Sequence, residues 1–226
     1  MTIGADVPFG LNEKRTVRSA HATFNFTYAA HYPGIGVISS RDGGASGDVV
    51  ELIDEHLNGH GQVIYEEARR TGLELALACA LVQQESLGRN IFGHDWGQQF
   101  ADRLPFAHLP VTEARVQALL RHVRNGGTSN GVGLTQLTYP LFIQEAEKIG
   151  GAHIPRNQCR VGFRLLASYV DKYNYMEALG AYNAGETNRR AGITNDYAGD
   201  LAEKHRVWKG RLGGRVHSGA SAATPP

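Results

Sequence analysis

The stretch Leu73-Glu74-Leu75-Ala76-Leu77-Ala78-Cys79-Ala80-Leu81-Val82-Gln83-Gln84-Glu85-Ser86 decides the fold. Its first ten residues are apolar almost all round, broken only by Glu74, with none of the two-residue alternation of a half-buried strand. A helix without a polar face has no side to show to water, so it belongs in the middle of a domain. Gln83-Gln84-Glu85-Ser86 and then Gly88 bring the apolar run to an end. The reading is a buried central helix over 73–87 with a carboxyl on its last turn.

Working outward, Val49, Val50, Ile53 and Leu57 recur at helical spacing until Gly59 and Gly61. A second helix is expected over 63–70, stopping at Gly72. Beyond the central helix, 90–110 reads as loop. Helices follow over 112–124, with Val116, Leu119, Leu120 and Val123 on one face, and then over 140–149, 159–173, 175–182 and 197–212. Thr23-Phe24-Asn25-Phe26-Thr27-Tyr28 alternates like a short strand. Pro33-Gly34 and Asp42-Gly43-Gly44 mark turns. The chain therefore divides into an irregular N-terminal extension (1–45), a mainly α domain (46–213) and a small-residue, Pro-ended linker or disordered tail (214–226).

Composition narrows the function classes. Of 226 residues 42% are apolar and 20% charged, the balance of a globular chain. Lys plus Arg is 23 against 22 for Asp plus Glu, a net charge of +1. That excludes a dedicated nucleic-acid binder, which needs excess positive charge. Cys79 and Cys159 are too few for a disulfide scaffold or a four-Cys zinc site. No apolar run is long enough to span a membrane. Met1 to Arg15 lacks the basic-then-apolar pattern of a cleaved signal, so export by that route is not expected.

Three segments could carry chemistry. Glu85 follows the apolar run, and a carboxyl against apolar walls keeps its proton near neutral pH, as the general acid of glycoside cleavage must. The alternative is a helix-end Glu pointing to solvent. Asn130-Gly131-Val132-Gly133-Leu134-Thr135-Gln136 is a glycine-rich loop ending in an amide. Ala181-Tyr182-Asn183-Ala184-Gly185 sets a phenol and an amide among small residues at a helix end. Small residues admit a ligand to the backbone, and Gln, Asn and Tyr supply directed hydrogen bonds for an acetamido sugar. Each of these two segments, taken singly, also suits an ordinary turn.

In this order, Glu85-Ser86, Gly133-Leu134-Thr135-Gln136, Ala181-Tyr182-Asn183-Ala184-Gly185 and Tyr197-Ala198 resemble the goose-type lysozyme and soluble lytic transglycosylase family over roughly 60–212. More narrowly, 85–95 and 127–140 look like the glycosidase domain of endolysins from phages of mycobacteria and related actinobacteria. The resemblance implies a lysozyme-like helical fold and cleavage of the β-1,4 bond between N-acetylmuramic acid and N-acetylglucosamine in peptidoglycan. It implies Glu85 as catalytic acid, and Ser86, Gly133, Gln136, Tyr182, Asn183 and Tyr197 as substrate-binding residues. It implies no cofactor and no metal. The implied partner is the peptidoglycan glycan strand, met by a monomer, or by one module of a longer lysin, released to the wall through a holin.

The sequence departs from the family in three places. Thr135 stands where Met is usual. Gly133 lies 48 positions after Glu85, so an insertion, 97–124, is expected to border the cleft. The acidic residues flanking the loop in goose-type lysozymes are here Gly127 or Thr128, and Thr138. An inverting hydrolase requires a second carboxylate about 6.5–9.5 Å from the acid to activate water. Asp95 is the best substitute, set against the alternative of a loop residue that hydrogen-bonds its own backbone, and Asp102 is a weaker one. Otherwise Thr128, Ser129 or Thr138 holds the water, or the substrate's own C6 hydroxyl attacks C1 and leaves a 1,6-anhydro sugar. A non-cutting peptidoglycan-binding module is the remaining alternative.

Other signals are weaker. His56 and His60 are four apart, but Leu57 stands where a metalloprotease has Glu. His94-Asp95 lacks further ligands at usual spacing. Cys79 reads as core, and nothing marks a triad at Cys159. Trp208 reads as the core anchor of the last helix. Its Lys204, Arg206, Lys209, Arg211 and Arg215 suit a helix C-terminus or an anionic polymer. Trp96, Phe100 and Phe106 suit either stacking on sugar rings or pinning the insertion down, and pinning is the reading preferred.

Overall fold

The computed structural model describes residues 43–93, 106–190 and 196–218. The segment Thr23–Tyr28, the loop bearing His94, Asp95, Trp96, Phe100 and Asp102, and the tail after Ser218 lie outside the described residues. Among the described residues the chain is mainly α. The helices are α1 (Gly43–His56), α2 (Gly61–Thr71), α3 (Leu75–Ser86), α4 (Glu113–Arg124), α5 (Pro140–Lys148), α6 (Pro155–Lys172), α7 (Tyr175–Arg190) and α8 (Tyr197–Ser218). A 3₁₀ turn, Gly133–Thr135, precedes α5.

Several bounds differ from the sequence reading, each for a local reason. α1 starts at Gly43, inside the expected extension. α6 begins at Pro155 rather than 159, because a proline at the first turn loses no intrahelical hydrogen bond. α8 continues to Ser218, past the boundary expected at 213; glycines at 213 and 214 weaken a helix without ending it. α7 bends sharply at Gly185, whose φ of 78° and ψ of 164° are not helical. The expected stop after Tyr182 is thus a kink three residues later.

α3 is the hub. Residues 76–82 are all buried in the main core, which α1, α2, α6, α7 and α8 complete. Both ends of α3 are fastened. At its start, Glu74 meets His205 Nε2 of α8 at 2.7 Å, and His205 Nδ1 meets the Tyr175 hydroxyl of α7 at 2.6 Å. Towards its end, Trp208 Nε1 of α8 donates to Gln83 Oε1 at 2.8 Å. A second core joins α4, α5 and one side of α6 through Phe92, Val116, Leu119, Val132, Leu137 and Ile143. Two antiparallel bridges hold the loop after α3: Ile91 pairs with Pro110, ahead of α4, and Phe92 pairs with Val132 of the glycine-rich loop. Phe106 packs on Phe92 with ring centres 5.6 Å apart, the pinning expected for it.

One buried charge locks α2 to α6. Glu67 is 0% exposed and takes a two-pronged hydrogen bond from Arg160, with Nε and Nη2 both at 2.8 Å; Arg156 reaches it at 3.2 Å. A carboxylate out of water is tolerated only while such donors surround it. Arg160→Ala should lower stability by about 2 kcal/mol through the Glu67 oxygens it leaves with fewer donors. A melting curve checks this; an unchanged midpoint would show that Arg156 suffices alone.

Candidate active site

The last turn of α3 is held from several sides. Leu87 takes a left-handed conformation, φ 55°, and its N–H donates to Gln83 O. Asn58 Nδ2 donates to Leu87 O at 2.6 Å, tying the α1–α2 turn to this end. Ser86 is buried, and its hydroxyl donates to Leu134 O at 2.9 Å, with Val82 O of its own helix at 3.2 Å. Glu85 therefore sits, half-buried, on a turn with little freedom.

The facing wall is the glycine-rich loop. Val132 and Leu137 exchange both backbone hydrogen bonds at 3.2 Å, closing the loop between them. The carbonyls inside it are claimed by side chains. Gly133 O accepts from Gln136 Nε2 at 2.7 Å, Leu134 O from Ser86, Thr135 O from the Tyr182 hydroxyl at 2.7 Å, and Gln136 O from Thr138 Oγ1 at 3.1 Å. Gly133 has φ of 72° and lies flat on the Gln158 carboxamide, where a Cβ would clash. Only glycine meets both demands.

The tyrosines complete the arrangement. The Tyr197 hydroxyl, from the first turn of α8, donates to Glu85 Oε1. Burial, and then the nearby Glu85 charge, push the Tyr197 phenol well above its ordinary value. The same two causes act on Tyr182. Both phenols therefore stay protonated and act as donors across the neutral range. A phenol donating to one carboxyl oxygen fixes the carboxyl's rotation and so the direction in which it can pass a proton.

The expected residues thus separate into two groups. Glu85, Tyr182 and Tyr197 converge, and Gln136 follows Thr135, the loop residue whose carbonyl Tyr182 holds. Ser86 and Gly133 do not face a ligand as expected: the Ser86 hydroxyl is spent inside the protein and Gly133 is covered by Gln158. Thr135 also turns inward and donates to Gln158 O at 2.9 Å. Both hydrogens of the Gln136 amide point at protein carbonyls, Gly133 O and Ile91 O. Asn183 is exposed. Asp95 lies outside the described residues.

One residue that holds the loop, Gln158, escaped the sequence reading. Gln158 on α6 accepts from Leu134 N and donates to Asn90 Oδ1 and Ala152 O. Asn130, fully buried, donates to Gly93 O at 2.7 Å. The signal for Gln158 was a polar residue in the apolar stripe of an amphipathic helix.

Cys79 and Cys159 are buried and unbridged, and burial raises both thiols, so neither is a nucleophile at neutral pH. Among the described residues no three His, Cys, Asp or Glu side chains group as a metal site, and no helix is long and apolar enough to cross a membrane. Comparison with protein-family models, with curated proteins and with solved structures gives no match to this chain.

Proposed function

We propose that this chain is a peptidoglycan glycosidase with a lysozyme-like fold, a lysin that cuts the wall of the phage's bacterial host, with Glu85 as general acid. The observation that supports it is the Glu85 carboxyl at the end of the buried α3, held by Tyr197 and faced by the glycine-rich loop that Tyr182 anchors. Such a carboxyl delivers its proton to the glycosidic oxygen as the bond from C1 of N-acetylmuramic acid breaks. Either water or the C6 hydroxyl of the same sugar then attacks C1. The glycan strand is the partner, and no cofactor enters the reaction.

The test is digestion of actinobacterial peptidoglycan with mass spectrometry of the soluble products. Reducing muramic ends are expected if water attacks, and anhydro ends, lighter by one water, if the C6 hydroxyl does. Either outcome supports a glycosidase. Binding to the wall with no saccharide released would overturn it in favour of a binding module. Tyr197→Phe should retain the fold and lower turnover about tenfold, the worth of about one hydrogen bond. Turnover equal to wild type would show that the phenol does not orient the acid.

A further inference from the structure

We infer that Gln158 is a positioning residue that sets the glycine-rich loop at its working distance from Glu85. The inference rests on the glycosidase reading and adds to it a residue far from the three motifs. Gln158 is fully buried, on the face of α6 turned towards the loop. Its carboxamide meets three partners: Oε1 accepts from Leu134 N at 2.9 Å, and Nε2 donates to Asn90 Oδ1 at 2.9 Å and to Ala152 O at 2.8 Å. Its own backbone carbonyl accepts from Thr135 Oγ1 at 2.9 Å. Gly133 lies against its amide plane with no room for a side chain.

One residue of α6 thereby grips three successive positions of the loop, Gly133, Leu134 and Thr135, and the segment after α3 through Asn90. Two of those positions carry the contacts to the reacting side. Leu134 O holds Ser86, the neighbour of Glu85, and Thr135 O holds the Tyr182 hydroxyl. A shift at Gln158 is transmitted to the acid through Leu134 and Ser86, and to the phenol through Thr135. Reaction rates fall steeply with small misplacements of catalytic groups, of the order of a hundredfold for about 1 Å, whereas the outer binding surface need not change. The signature of Gln158 is therefore a loss of kcat at nearly constant KM.

Two variants of the full chain test this, with saccharide release per folded molecule as the readout. Gln158→Leu fills similar space but offers no hydrogen bond. It is expected to lower kcat about tenfold or more while KM moves less than about threefold. A folded Gln158→Leu with wild-type kcat would overturn the inference. Gln158→Glu decides the matter if that variant does not fold. The position is met by neutral groups, with Glu147 beyond the Ala152 N–H and His153 beyond Asn90. A buried carboxyl there holds its proton to unusually high pH. While protonated it still accepts from Leu134 and donates once. Once ionised it faces two carbonyl oxygens it can no longer serve. Relative to wild type, Gln158→Glu should lose turnover as the pH rises from about 5 to about 9; a profile parallel to wild type would overturn the role. A wild-type chain that releases no saccharide sinks the glycosidase reading itself, whereas an active wild type with equally active variants sinks only the role of Gln158.

Discussion

Glu85→Gln should reduce saccharide release by about a thousandfold, some 4 kcal/mol on the barrier, with the fold intact. The size follows from the chemistry. An amide has the shape of the carboxyl but no proton to give the leaving oxygen. The fold should tolerate the change because Gln keeps a carbonyl-type oxygen that can accept from Tyr197, and because residue 85 is only half-buried. The unfolding free energy is expected to stay within about 1 kcal/mol of wild type. Circular dichroism melting beside product analysis separates loss of chemistry from loss of structure. Folded Glu85→Gln that digests wall at the wild-type rate would remove position 85 from the mechanism.

The second large effect is on stability. Among the described residues Trp208 is the largest fully buried side chain. It fills the contact of α8 with α3, stacks edge-on with His56 at 5.6 Å, and lies under the Arg211 guanidinium at 5.1 Å. Trp208→Ala opens a cavity that surrounding helices cannot close and leaves Gln83 Oε1 without its donor. The expected cost is about 3–5 kcal/mol, which for a domain of this size lowers the melting midpoint by about 10 °C. Trp208→Phe, which keeps most of the volume and loses the N–H, should cost about 1–2 kcal/mol. Since α8 also carries Tyr197, activity should fall faster with temperature in Trp208→Ala than in wild type. A midpoint within about 2 °C of wild type would mean that α8 is not seated through this residue.

Much of the architecture was readable because it is local. The all-round apolar run at 73–82 could only be an interior helix, and residues 76–82 are indeed buried without exception. Gly72 ends α2 in the left-handed conformation, φ 75°. Val116 and Leu119 form the buried side of α4, which Thr112 caps by accepting from Arg115 N. Where the reading failed, the cause was also physical. The reading took Ser86 and Gly133 for ligand-facing residues, since small residues beside a candidate acid suit both contact with a sugar and close packing. Which of the two holds depends on what lies behind them, here Leu134 and Gln158, 48 and 25 positions away along the chain.

The amino-acid order by itself determined where helices run, which one lies innermost, and that a carboxyl stands at its end, because spacing along a helix dictates which side chains leave water. Tertiary structure alone decided that the phenol at 197, rather than another of the nine tyrosines, reaches Glu85 across 112 positions. It alone decided that α6 clamps the glycine-rich loop through a carboxamide. Those pairings follow from the angle and register at which helices pack, quantities set by the sum of many small contacts and written in no single stretch of sequence.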